Sequence, residues 1–535
     1  MYVVGFISHT SLIMTELKYK DNKSESNSFL NKIVGLYIIL VCVGVPLIFH
    51  NKYFDILNTK YYYYCACSII MTIILLTNFI IQWRYNKKFT IKEKIKEFFA
   101  KSTWVDYCVI LFYGFAVLST FTSDYLYESF WGNEGRLTGL FLMTWYVLSY
   151  FCISRFLKFS TKYIDIILIS GLLVSIIGIT DYFNLDILNF KALVIESQKS
   201  IFTSTIGNIN TYTAYVGIIV AISTVLFSTE KEIKKIVFYF IAMVIGFFAI
   251  IMGVSDNAYL SLGALFAFLP LYLFKDSNGV KRYIIVIATF FSVIQIIGWI
   301  NSNFSNMVLG IDSSFNLLIG FKGAAVLTIL LWLIILTWYI IDSRKKNRHI
   351  YYGKTLRFSW LVMLIIIFLA IIYAIYDCNI NGNSQKYGSL SSYLLFNDAW
   401  GTHRGYIWRN AIECYLDLSW WKKAVGFGPE TFGILMLQKT ANNPYKEVFD
   451  SAHNEYLHLL TTVGFMGLLS YISFIIGVVV RGVKYHINKP YIVAVLFGII
   501  CYSVQAFVNL NLPIVTPVFW ALLGIASSKS LNIDE

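Results

Sequence analysis

Charge is scarce in this chain. Asp, Glu, Lys and Arg supply only 14 % of its 535 residues, where roughly a quarter is usual in soluble proteins. That is too little to cover the outside of a soluble domain and far too little for a disordered or coiled-coil chain. Cysteine chemistry is thin as well. There is no C-x-x-C pair, and six of the eight cysteines (Cys42, Cys65, Cys67, Cys108, Cys152 and Cys501) sit inside long apolar runs as small apolar residues. Cys378 and Cys414 share one long loop, where a disulfide between them stays open. The seven histidines make no H-E-x-x-H or Cys/His cluster, so no metal site and no cofactor are expected; His453 and His458, five apart, would lie on different faces of a helix. What is abundant is apolar surface, with 57 % hydrophobic and 18 % aromatic residues and a mean hydropathy of +0.65. The chain reads as an integral membrane protein.

About 20 apolar residues rising ~1.5 Å each cross a hydrocarbon core of ~30 Å. Fourteen runs of this kind occur, at 33–50, 62–83, 104–122, 139–157, 163–183, 211–228, 235–253, 257–274, 283–302, 319–341, 359–376, 455–480, 491–508 and 513–529. A bilayer offers no partner to an open backbone amide, and barrel strands would be half this length and alternating. The expected fold is therefore all-α and polytopic, with about 14 transmembrane helices.

Lys and Arg set the orientation, because basic segments stay on the cytoplasmic side. Thirty of the 43 basic residues fall before span 1 or after an even-numbered span. Both termini are thus expected in the cytoplasm of a bacterial cell, with span 1 an uncleaved anchor. The net charge of +13 then reflects orientation and attraction to an anionic leaflet, with no nucleic-acid partner required. Four regions follow: a two-helix segment with a basic loop at 1–103, membrane-core helices at 104–376, a large extracytoplasmic loop at 377–454 between spans 11 and 12, and three closing helices at 455–535.

Long structured loops usually carry function, and this one is basic, holding Lys386, Arg404, Arg409, Lys422, Lys423, Lys439 and Lys446. An anionic ligand outside would suit it. Residues 403–416 read as an amphipathic helix, with Arg404, Trp408, Ala411, Ile412 and Tyr415 on one stripe. Such a helix presents a guanidinium to a lipid phosphate, although the same pattern fits a helix that merely rests among headgroups. The segment G426-F-G-P-E-T-F432 has the composition of a turn. In D450-S-A-H-N-E-Y-L457, Asp450 or Ser451 can cap span 12 and place His453 and Asn454 in its first turn, where a helix end favours an anion and an imidazole can take a proton.

The ordered set R404-x-x-x-W408, G426-F-G428-x-x-x-F432, S451-A-H453-N454-E-Y-L and T461-T-V-G464-F-M-G467 resembles the signature stretch of the O-antigen ligase and O-antigen polymerase superfamily. The sections W131-G-N-E-G135-R136-L-T-G139 and G207-N-I-N210-T-Y-T-A214 resemble a branch of it. The resemblance implies a GT-C-like, metal-independent membrane glycosyltransferase. Such an enzyme moves a glycan from an undecaprenyl-diphosphate carrier to a lipid, glycan or protein hydroxyl outside the cytoplasmic membrane, and needs no nucleotide sugar. It also implies that His453 is the catalytic base and that Arg404 is a diphosphate ligand. Arg136 and Arg409 are further diphosphate candidates, and Asn454 and Trp408 support the site. Family members commonly carry a Ser-Arg pair where Ser255-Asp256-Asn257 stands here, which leaves one arginine to be replaced by Arg136 or Arg409. Fourteen spans exceed the family's usual twelve or so, and spans 1 and 2 are the natural addition. Ligase and polymerase chemistry are equally compatible with these residues. A lipid-carrier flippase or transporter would instead show midplane charges and related halves, whereas Asp106, Asp165, Asp181 and Lys322 cluster at span ends.

Overall fold

A computed structural model describes residues 28–85, 91–133, 135–311, 318, 323–344 and 350–532. The expected cytoplasmic segment 1–27, the basic stretches at 86–90 and 345–349, Glu134 and Lys322 lie outside these. Among the described residues the only strands are Phe202–Thr203 and Gly207–Asn208, an antiparallel pair; nearly everything else that is regular is helical.

Among the described residues, eleven helices are long and apolar enough to cross a membrane: Ser28–Leu47, Ile56–Arg84, Trp104–Phe121, Thr161–Tyr182, Ile209–Thr229, Ile233–Met252, Ser277–Asn303, Ala324–Arg344, Thr355–Asn379, Gly464–His486 and Pro490–Val508. Leu140–Phe156 and Ala258–Leu273 are shorter apolar helices, and Thr516–Ala526 is an 11-residue helix buried along its whole length. Each of the fourteen expected runs overlaps one of these helices.

Burial grades the helices by composition. Ile209–Thr229 is enclosed on all sides, packed by Ile233–Met252, Pro490–Gln505, Ala258–Leu273 and Thr161–Tyr182. It accordingly carries Thr211, Thr213, Ser223 and Thr224, whose hydroxyls would be costly against lipid. Thr355–Asn379 is the opposite case. None of its most apolar stretch is buried, its few contacts run to Ala258–Leu273 and to the loop that follows it, and it is the most apolar of the spans.

The connections sort into two groups that bond within themselves. In the first group, the Tyr53 hydroxyl donates to the Ser204 carbonyl (2.9 Å), Asn257 to Val508 (3.0 Å), Asn509 to Asn210 (3.0 Å) and Arg404 to Asn257 (3.3 Å). In the second, Lys158 N–H donates to Asn31 (2.7 Å), Ser528 to Leu157 (2.8 Å) and Lys529 to Lys101 (2.9 Å). Odd-to-even connections make up the first group and even-to-odd connections the second, as helices that alternate in direction require. Lys60, a basic residue in the first group, is fully buried. Its ammonium donates to the carbonyls of Val45 (2.6 Å), Pro46 (3.0 Å) and Ile48 (3.0 Å), which the end of the first span leaves without helical partners.

Two sequence expectations need correction. Span 12 is not one helix, because Glu455–Thr462 ends before Gly464–His486 begins and Gly464 sits at φ +79°. A Cβ on Gly464 would lie 2.4 Å from the Ala424 carbonyl oxygen. The break leaves carbonyls unpaired, and G426-F-G fills them: Phe427 N–H donates to Thr461 O and Gly428 N–H to Thr462 O, each at 3.0 Å, while Ser119 donates to Thr462 O at 2.7 Å. The turn expected at 426–432 therefore caps a broken helix. The amphipathic stripe is also rotated. In the Trp400–Asp417 helix, regular from Arg404 onward, the buried residues include Ile407, Ala411 and Cys414, whereas Ile412 is 47 % exposed. The reason is that the loop has a core of its own, with Ile407, Ala411, Cys414, Phe432, Leu435 and Phe449 among its members. Cys414 and Cys378 are both buried and free, without a disulfide.

Candidate active site

The segment 450–457 meets the membrane helices differently from its sequence reading. Asn454, not Asp450 or Ser451, is the N-cap: its side-chain oxygen accepts from Tyr456 N (3.0 Å) and Leu457 N (3.1 Å). Asn454 is thus a buried capping residue, and His453 precedes the helix. His453 has φ +46°, a left-handed conformation in which histidine is found more readily than most side chains. Its N–H donates to the Ser451 hydroxyl (3.1 Å). The different-faces argument for His453 and His458 does not apply, since only His458 is on the helix.

Trp408 ties the loop helix to this turn, its indole N–H donating to the Ala452 carbonyl (2.8 Å). Its ring packs against Trp400 (5.2 Å between centroids) and Phe507 (5.7 Å). Arg136 comes in from the loop before Leu140–Phe156, almost fully buried, and its Nη2 pairs with Asp450 Oδ1 at 2.7 Å. Arg404 reaches the short Ser255-Asp256-Asn257 turn, where Nη1 donates to Asn257 Oδ1 at 3.3 Å. Arg409 is not brought in: its guanidinium pairs with Asp398 (2.8 Å) and approaches Glu413 (3.8 Å) on the exposed side of the helix.

Electrostatics follow from this assembly. Burial, and then the guanidiniums of Arg136 and Arg404, push the His453 imidazole from an ordinary 6.5 down to about 4, with the Asp450 carboxylate opposing them. The imidazole is neutral at physiological pH, the form that accepts a proton, and it lies within the field of two cations that can receive an anion.

Beneath this group is a small cavity lined by Arg136, Thr138, Glu430, Glu455, His458 and Asn511, among others. Glu430 and His458 escaped the sequence reading, and so did the pairing of Asp450. A carboxylate inside the turn-forming G-F-G-P-E-T-F was the one available signal. Glu430 is buried and adopts φ +57°, a costly conformation for a residue with a long side chain. Its carboxylate accepts from the Thr138 hydroxyl and lies 3.4 Å from His458 Nε2. Glu455, also buried, accepts from the Tyr471 hydroxyl at 2.5 Å. Among the described residues no group of three or more His, Cys, Asp or Glu side chains is arranged to hold a metal ion.

No curated protein matches the chain. Residues 308–472, which include Arg404, the G-F-G turn and His453, match the family model described as O-antigen ligase. The match spans somewhat under a third of the chain, leaves Arg136 outside it, and supports a relationship to the O-antigen ligase superfamily.

Proposed function

We propose that the protein is a metal-independent glycosyltransferase that moves a glycan from an undecaprenyl-diphosphate carrier to an acceptor hydroxyl at the outer face of the cytoplasmic membrane. The observation that carries this reading is a neutral, largely buried His453 within the electrostatic reach of two guanidiniums, that of Arg136, paired with Asp450, and that of Arg404, bonded to Asn257. Arginines at that position can stabilise the charge that develops on a departing diphosphate, the part a metal plays elsewhere. His453 takes the acceptor's proton as the new bond forms. Arriving diphosphate offsets the two cations and makes the imidazole more basic at the moment it is needed. Arg409, paired on the surface, would reach the diphosphate only by giving up Asp398. Ligase and polymerase action differ in the acceptor alone, and both use this chemistry.

The test is a deletion strain complemented with wild type or His453→Ala at matched protein levels. Carrier-linked glycan should accumulate and finished surface polysaccharide should vanish in the variant, and single-repeat products would identify a polymerase. Wild-type polysaccharide from His453→Ala would remove His453 from the mechanism.

A further inference from the structure

Transfer releases a proton in a place with poor access to water. His453 is largely buried, and with donor and acceptor seated its open side is covered, so the proton needs an inward receiver. Five buried polar atoms at the cavity have no hydrogen-bond partner among the described residues: Arg136 Nε, Glu430 Oε2, Glu455 Oε2, His458 Nδ1 and Asn511 Oδ1. A cavity with this mixture of donors and acceptors, and room for about one water molecule, is a hydrated one. His453 does not itself line the cavity, but Ser451 and Asn454, which flank it in the chain, do, as do Arg136 and His458, whose charges act on the His453 ring.

His458 is arranged as a proton receiver. Its Nε2 faces the Glu430 carboxylate at 3.4 Å, which favours the tautomer with hydrogen on Nε2 and leaves Nδ1 as a free acceptor. Phe432 stacks on the ring, with centroids 5.3 Å apart and planes 25° from parallel, and fixes its orientation. Thr138 holds Glu430 from the other side. Among the described residues, Arg136 and Glu455 share the cavity with the pair, while Arg136, Arg404 and Asp450 act on His453.

We infer that Glu430 and His458 form a proton-receiving pair for His453, an inference that rests on the transfer reaction proposed above. The acceptor oxygen bonds to the sugar carbon, the bond from that carbon to the diphosphate oxygen breaks, and its electron pair leaves with the diphosphate. The hydroxyl proton moves to His453 and from there, through a cavity water, to His458 Nδ1. Glu430 faces the imidazolium that results. Once the products have left, the proton returns by the same route to His453 and passes from there to bulk water, which regenerates both neutral imidazoles. Glu430 and His458 act through His453 and are positioning residues.

The experiment uses membranes of the deletion strain, which supply the natural acceptor, together with full-length purified protein and the strain's own carrier-linked glycan. Release of undecaprenyl diphosphate is followed by mass spectrometry in H2O and D2O. Glu430→Gln and His458→Asn should each lower kcat at least about tenfold, leave KM for the donor within about twofold, and enlarge the solvent isotope effect. Added imidazole should restore part of the rate to His458→Ala. Wild-type kcat and isotope effect in both variants would overturn the pair. If Glu430→Gln does not fold, His458→Ala decides: rescue by imidazole supports the inference, and a folded protein that imidazole does not rescue refutes it. His453→Ala separates the two levels. Retained transfer in that variant sinks the base assignment itself, whereas abolished transfer with unaffected Glu430 and His458 variants sinks only the relay.

Discussion

The depressed proton affinity of His453 makes a quantitative forecast. Moving an imidazole from 6.5 to about 4 corresponds to about 3.4 kcal/mol against the protonated form. Burial supplies the largest part and the two guanidiniums follow. In the free enzyme His453 is therefore an active base down to about pH 4, and the acid limb of kcat/KM should fall there. Bound diphosphate neutralises the cations without exposing the ring, so the acid limb of kcat should lie higher by about one pH unit, roughly 1.4 kcal/mol. Arg136→Gln removes one cation and frees Asp450 to face the imidazole, so the acid limb of kcat/KM should move up in this variant. The assay is the pH dependence of undecaprenyl diphosphate release, with the donor's own ionisation followed separately by phosphorus NMR. An acid limb of kcat/KM near 6.5 in the wild type, or one that moves down in Arg136→Gln, would refute the reasoning.

Arg404→Lys keeps the charge but not the fork that binds phosphate through two oxygens, and transfer should fall by one to two orders of magnitude, roughly 1.4 to 3 kcal/mol; full activity in that variant would take Arg404 out of diphosphate binding. Asn454→Ala removes the cap that accepts from Tyr456 and Leu457 and should cost about 1 kcal/mol, read as a lower melting temperature in detergent, whereas an unchanged Tm would mean that the turn is held by Trp408 alone. A cysteine placed at the exposed Asn442 should react with an impermeant maleimide on intact spheroplasts, and labelling only after lysis would invert the proposed topology.

Much of the helical architecture was legible because a bilayer reduces the problem to one dimension, in which run length gives helices. The break at Gly464 was hidden because residues 459–480 hold neither a charge nor a proline, and the approach of G426-F-G to the carbonyls of Thr461 and Thr462 explains it. His453 and Arg404 stood out through an ordered motif. The partners that give them their chemistry are remote in the chain, with Arg136 lying 314 residues from Asp450, Thr138 lying 292 from Glu430 and Asn257 lying 147 from Arg404. No local pattern encodes such pairs. The stripe on 403–416 was misjudged for a related reason, since the helix buries itself against the loop's own core and turns Ile412 outward.

The large loop is suspended between two unusual struts. One is Thr355–Asn379, which meets lipid along nearly its whole length and touches little protein. The other is Glu455–Thr462, separated from its membrane span at Gly464, with its last carbonyls accepting from the loop's Phe427 and Gly428 N–H groups. A sideways displacement of the first strut trades lipid contact for lipid contact, at almost no cost in protein packing. A tilt of the second would carry His453 and His458 with the loop but would have to break the Glu455–Tyr471 bond to the span below. His453, proposed above as the base, thus belongs to the loop and not to the helices that floor the site, so its position relative to Arg136 depends on how the loop sits on them.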